Sequence, residues 1–168
     1  MTEAREEPMS GTVGDPEEIK QKFWKELDAN PNVFLSLVGS REHSAPMRCV
    51  LDKDVQGHFW FYTSRDNRAA GGGPAMAHFT SKGHDLFACV AGTLVEESDP
   101  AIIDKYWSNP VEAYYSEGRS DPNLLMLRFE LGDAEIWVPD MTIKGMFKML
   151  TGMTMKPGDG GDHAVVSL

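Results

Sequence analysis

The chain has 168 residues, 41% hydrophobic and 25% charged, which suits one globular domain with short tails and is too little for two independent cores. Twenty-six acidic against 16 basic residues give a formal charge of −10, so there is no general attraction to a phosphate backbone or an anionic lipid surface. Nucleic acid and membrane are therefore excluded as first-choice partners.

Residues 1–14 mix Glu, Gly, Pro, Ser and Thr without periodicity, and a disordered leader is expected there. It has no apolar run, so no secretory signal is expected. The longest apolar stretch, Leu86 to Val95, falls far short of the roughly 20 residues of a membrane-spanning helix. Cys49 and Cys89 build neither a disulfide framework nor a CxxC motif, and a reducing cytoplasm is the expected location.

Asp15-Pro16-Glu17-Glu18 combines a capping acid, proline at the first helical position and glutamate three residues after the cap. Ile19, Phe23 and Leu27 then set one apolar stripe on a helix that Asn30-Pro31 ends. From there the period is two. Strands are expected at Val33 to Val38, Ala45 to Leu51 and His58 to Thr63, the last aromatic on both faces and so covered on both. Between Ser64 and Lys82 the run Gly71-Gly72-Gly73-Pro74 opposes a helix, and a turn or stunted helix is expected.

Leu86 to Val95 reads as a long strand bent at Gly92. Asp99-Pro100 caps one short helix, and Asn109-Pro110-Val111-Glu112 begins another. Leu125, Leu127, Phe129 and Leu131 alternate with polar neighbours and with Met126, giving a half-buried strand. Gly132-Asp133 is expected to turn the chain into a last strand, Ala134 to Val138. Helical spacing returns at Ile143, Met146, Phe147 and Leu150, followed by a glycine-rich stretch. The domain is thus placed at 15–151, with a flexible tail at 152–168. Six antiparallel strands with short helices suggest a small closed or partly open β-barrel.

Histidine spacing matches no metal motif, no GxSxG elbow occurs, and the glycine run lacks the Lys-Ser/Thr of a phosphate loop. No catalytic residue is assigned. The richest stretch is Tyr62-Thr63-Ser64-Arg65-Asp66-Asn67-Arg68, a strand ending in hydroxyls, an amide and two guanidinium groups. Such a cluster can hold a phosphate, although a solvated polar strand end has the same composition. The four tryptophans are open between core packing and stacking on a planar ligand.

The succession of Ser44-Ala45-Pro46-Met47, Phe59-Trp60-Phe61-Tyr62-Thr63-Ser64-Arg65-Asp66-Asn67 and Ser81-Lys82-Gly83-His84-Asp85-Leu86-Phe87-Ala88 resembles the general stress protein 26 group. Tyr106-Trp107-Ser108-Asn109-Pro110, Leu127-Arg128-Phe129 and Ala134-Glu135-Ile136-Trp137 agree with it. That group belongs to the pyridoxamine 5′-phosphate oxidase-like FMN-binding split barrels. The resemblance implies a mainly β fold, a six-stranded antiparallel split β-barrel of Greek-key type with short helices, forming a homodimer with FMN in two interface clefts.

Carried over by position, the strand at Met47 and Arg48 would lie along the isoalloxazine, chiefly through its backbone. Tyr62, Thr63 and Ser64 would contact the flavin and its ribityl chain. Asn67 and Arg68 stand where the family holds the phosphate. Trp137 matches an aromatic that approaches the flavin from the partner subunit, and alternation along its strand predicts Ile136 inward and Trp137 outward.

Ala45 stands where many relatives have arginine, and Ala69 where the oxidase pattern has a phosphate-binding lysine. The basic C-terminal segment of true pyridoxamine phosphate oxidases is not found, so vitamin B6 oxidation is not expected. The expected function is that of an FMN-binding stress-related flavoprotein, an FMN-dependent oxidoreductase acting on an unknown small molecule. The alternative is a non-catalytic flavin or small-molecule binder, or a barrel that has lost its cofactor. The apolar side chains of Phe59–Phe61 and Leu125–Leu131 are expected to exceed what one barrel encloses, some of them facing a second subunit.

Overall fold

Proline at its start and an acid before it open the first helix, α1 (Pro16–Ala29), where the Asp15 carboxylate accepts the Glu17 amide at 2.9 Å. The computed structural model describes residues 14–139, 150–151 and 161–168. The leader through residue 13 and the helix expected around Ile143–Phe147 lie outside the described residues. Ile19, Phe23 and Leu27 are all buried on one face of α1, and Phe23 meets Phe79 of the sheet edge-on at 6.0 Å.

Alternation builds the strands β1 (Asn32–Leu37), β2 (Ala45–Arg48), β3 (His58–Ser64), β4 (Gly73–Thr80), β5 (Phe87–Glu96), β6 (Leu124–Pro139) and β7 (Gly161–Ser167). Between β5 and β6 come two short helices, α2 (Pro100–Lys105) and α3 (Asn109–Glu112). All pairings are antiparallel, in the order β2-β1-β4-β5-β6-β3, with β7 also on β6. The two ends of this order meet only through the bridge Val50↔Trp60, whose N–H···O distances are 2.7 and 3.1 Å. The sheet therefore curls into a split barrel that does not close. Its interior is filled from β1, β3, β5 and β6 by Leu35, Phe59, Phe61, Val90, Leu127, Phe129 and Ile136.

Three expectations need correction. Residues 73–80 are a strand, paired to both β1 and β5, where a turn or stunted helix was expected. Gly72 and Gly73, at φ +66° and +96°, take left-handed conformations that L side chains disfavour, and so turn the chain directly into β4. Ala75, Ala77 and Phe79 then point inward. Alanine carries little strand propensity, so the paired neighbours make this strand.

Second, Gly132-Asp133 is not a turn. β6 runs through it as one strand of 16 residues. The register with β5 passes from Gly92↔Leu131 to Val90↔Ala134, leaving two residues of β6 opposite Ala91 alone, a β-bulge. The inward set changes parity there, from Leu125, Leu127 and Phe129 to Ala134 and Ile136. Third, residues 161–167, expected in a flexible tail, form β7. β3 covers β6 only over 124–130, and β7 pairs with 133–139 beyond the bulge, burying Ala164 and Val166.

The outer face of β3 is covered by the segment after β5. Trp60 lies against Tyr106 with ring centroids 4.8 Å apart, and its Nε1 donates to the Glu97 carboxylate at 3.2 Å. Arg128 donates to the same oxygen at 3.0 Å. Burial pushes the Glu97 carboxyl up, but bonds from the Asp99 amide, Trp60 and Arg128 outweigh it and hold it below its ordinary 4.5.

A side chain at Gly92 would place its Cβ 2.5 Å from the Glu130 carbonyl oxygen and 2.6 Å from the Phe129 ring. Gly92→Ala should destabilise the fold by about 1–3 kcal/mol, read as a lower denaturant midpoint with an unchanged slope.

Candidate functional site

β3 ends at Ser64, and its last residues are held from outside by the α2–α3 segment. The Tyr62 hydroxyl donates to the Ile103 carbonyl at 2.5 Å, and the Tyr115 hydroxyl donates to the Thr63 carbonyl at 2.6 Å. Trp107 sits edge-on to Tyr62 at 5.8 Å and stacks on Tyr115 at 5.7 Å. The hydroxyl of Tyr62 is thus engaged within the chain. Burial pushes both the Tyr62 and Tyr115 phenols up to about 12.

Beyond Ser64 the chain makes consecutive turns. The Asn67 amide bonds to the Ser64 carbonyl at 3.0 Å, and the Asn67 side-chain oxygen accepts the Ala69 amide at 2.8 Å. That leaves the Asn67 Nδ2 directed at the Met47 sulfur on β2, 4.0 Å away, which is a weak acceptor. Arg68 donates to the His43 carbonyl at 2.6 Å, tying the turn to the loop that precedes β2. Ser64 Oγ donates to Asp66, and Arg65 is neutralised by Glu96 at 2.8 Å.

Met47, Ser64, Asn67 and Arg68 are thereby brought to one end of the barrel, with Thr63 behind them. Met47 is buried, and Arg48, its neighbour on the strand, is exposed on the opposite face. Ala69 is buried and adds no polar side chain. Among the described residues neither Arg48 nor Arg68 is in an ion pair. The turn therefore presents a guanidinium whose charge no carboxylate answers, beside an amide N–H of Asn67 with only a sulfur acceptor. This set can receive an anion.

Trp137 is elsewhere. It lies on the outer face of β6, 39% exposed, while Ile136 is 0% exposed, as the alternation predicts. Its ring stacks on His163 of β7 at 5.4 Å, and His163 is bonded to Glu135 at 2.9 Å. Among the described residues Trp137 shares no hydrogen bond or ring contact with Met47, Asn67 or Arg68, its one ring partner being His163.

Sequence reading missed His43 and Tyr115. His43 acts here through a backbone carbonyl, which leaves no side-chain signature, and Tyr115 is 52 positions from the residue it holds.

The family described as "Pyridoxamine 5′-phosphate oxidase like" matches residues 18–157. The chain belongs to this family. Its solved relatives include a general stress family protein from Xanthomonas campestris pv. campestris, 39% identical over 78% of this chain and 94% of that one, with TM-score 0.69. The general stress FMN/FAD binding protein of Xanthomonas citri is also 39% identical, covering 76% of this chain and 93% of that one, with TM-score 0.69. A general stress protein 26 from Jannaschia sp. CCS1 is 25% identical over 92% of this chain and 100% of that one, with TM-score 0.72. No curated protein is a match. These relatives place the chain in the general stress protein 26 group of the family, and the split-barrel fold agrees. No helix among the described residues is long and apolar enough to cross a membrane.

Because burial favours the neutral phenols, the stability that Tyr62 and Tyr115 contribute should be complete below the ordinary value of 10 and be lost as pH rises through about 12. Ultraviolet titration should show two phenols ionising only near pH 12. Tyr115→Phe should remove one of them and destabilise the fold by about 1 kcal/mol.

Proposed function

We propose that the protein is an FMN-binding, stress-related flavoprotein of the cytoplasm, an FMN-dependent oxidoreductase on a small molecule, working as a homodimer. The observation that carries this reading is the turn after β3, where Asn67 and Arg68 converge with Met47 and keep donors available for a phosphate. The family and the FMN/FAD binding of the Xanthomonas citri relative support it.

The residues present fit the group. Arg68 supplies a charge-assisted donor, Asn67 a neutral one, and the rigid end of β3, clamped by Tyr62 and Tyr115, fixes where the turn starts. Ala69 brings no side-chain donor and its amide is spent on Asn67, so Arg68 takes the main electrostatic role in place of a lysine. Thr63 and Ser64 would border the path of the ribityl chain, and the β2 backbone at Met47 and Arg48 would flank the ring system. Bound FMN would supply the hydride or electron chemistry, and the chain supplies position and charge. No acid–base constellation is needed for that division of labour.

The homodimer rests on different residues from those first expected. Phe59, Trp60 and Phe61 are 2%, 2% and 0% exposed, and Leu125, Met126, Leu127 and Phe129 are likewise buried within one chain. Among the large apolar side chains left exposed, Phe34, Phe87 and Trp137 lie on the outer face of β1, β5 and β6, and these are the candidates for a second subunit. A subunit docked there could bring its Trp137 toward the cleft of the first, which Trp137 of the same chain does not contact.

Purified protein should bind FMN with the absorbance of a flavoprotein and be bleached by NAD(P)H. A flavin-loaded protein that no reductant turns over would favour the non-catalytic binder instead. Arg68→Ala should weaken FMN roughly ten- to a hundredfold while riboflavin affinity hardly changes. Equal losses for both ligands would remove Arg68 from the phosphate.

Trp137→Ala tests the partner's contribution. A core tryptophan loses about 3–5 kcal/mol on truncation, whereas this half-exposed one should lose little stability and mainly flavin affinity, measured by thermal melting and FMN titration of the same dimer.

A further inference from the structure

A cavity of about 590 Å³ lies between α1 and the turn at residues 51–57, away from the loop that follows β3. Nothing in the proposed flavin chemistry uses it. Its size falls within the range of roughly 300–1,000 Å³ typical of small-ligand sites. Trp24, Leu51, Val55 and Leu168 form its apolar wall. The Trp24 ring is fixed by an edge contact to Phe23, 5.2 Å between centroids, so the wall is preformed by the helix stripe that also anchors the core.

The polar lining is lopsided. Lys20, Lys25 and Lys53 all line the cavity, and among the described residues none of them is in an ion pair. Lys22, on the same helix, is by contrast paired with Asp85 at 3.1 Å. Of the two lining carboxylates, Asp52 is already answered, accepting from Lys105 at 2.7 Å and from the Tyr106 hydroxyl at 2.6 Å. Among the lining side chains, Asp28 alone is left against three ammonium groups, with Leu168 of the chain end also in the lining. In a chain of formal charge −10, a concave, apolar-walled site with an excess of cations is selective for an anion.

A polyphosphate would find neither arginine nor a glycine-rich turn of amides here, and a neutral apolar molecule leaves the lysines unexplained. The chemistry that uses both parts of the lining is an apolar body carrying one carboxylate. We propose that this cavity binds a small amphipathic carboxylate, its apolar part against Trp24, Leu51 and Val55 and its carboxylate among Lys20, Lys25 and Lys53.

The test is calorimetric titration of the full chain with octanoate, with 1-octanol as the uncharged counterpart and FMN as competitor. Octanoate should bind saturably, more tightly than octanol, and without displacement by FMN. Lys20→Met, Lys25→Met and Lys53→Met should each weaken octanoate roughly two- to tenfold and leave octanol unchanged. Methionine keeps the length and helix propensity of lysine, so unchanged melting curves are expected. Val55→Trp, which fills the cavity, should abolish binding of both probes. Absence of saturable octanoate binding, equal affinity for octanol and octanoate, insensitivity to all three lysine variants, or displacement by FMN would each overturn the proposal.

Discussion

A strand of 16 residues cannot serve a small curled sheet if it stays straight, and β6 bends at the bulge of Gly132 and Asp133 opposite Ala91. The rest of the barrel depends on that one inserted residue. Before it, β6 pairs with β3 and sends Leu125, Leu127 and Phe129 inward. Beyond it, β6 pairs with β7 and sends Ala134 and Ile136 inward. Gly92 across the ladder makes room for Phe129, whose ring also packs against Phe59 and Phe61 at 5.5 and 6.2 Å. A position with no room for a side chain thus sits beside the bend that shapes the core.

A second constraint acts on β3 from outside. The segment after β5 buries Trp60 beneath Tyr106, places Glu97 between Trp60 and Arg128, and fastens Thr63 through Tyr115. A buried carboxylate held by three donors contributes more to uniqueness of position than to net stability, since its attraction must first offset the loss of hydration. Its consequence is geometric. The end of β3 is fixed on the outer side, and the turn carrying Asn67 and Arg68 starts from a rigid point, with His43 and Met47 limiting it on the other side. Donors held this way by the chain's own contacts would reduce the ordering that binding of a ligand there would impose.

Much of this was legible in the chain. The cap and stripe of α1, the strands at β1, β3 and β5, and the short helix after Asp99 follow from local rules that the sequence states directly. So does the inward position of Ile136. The site was legible as a composition, hydroxyls and guanidiniums at a strand end, and not as an arrangement. That Arg65 is spent on Glu96 while Arg68 is tied only to a carbonyl depends on residues 31 and 25 positions away. Tyr62 reads as a ligand contact by position, yet its hydroxyl is directed to Ile103 on α2.

By itself, the sequence determined the elements whose signals are short-range: the helix starts, the alternating strands, the acidic charge and the family pattern. Tertiary structure alone decided β4 and β7, where Ala75, Ala77 and Ala164 carry little propensity for a strand and are made into one by paired edges. It also decided that Gly132-Asp133 is a bulge and not a turn. The same two residues serve either conformation, and only the β5 ladder running past them selects the extended one, which sets the parity of everything that follows, Trp137 included.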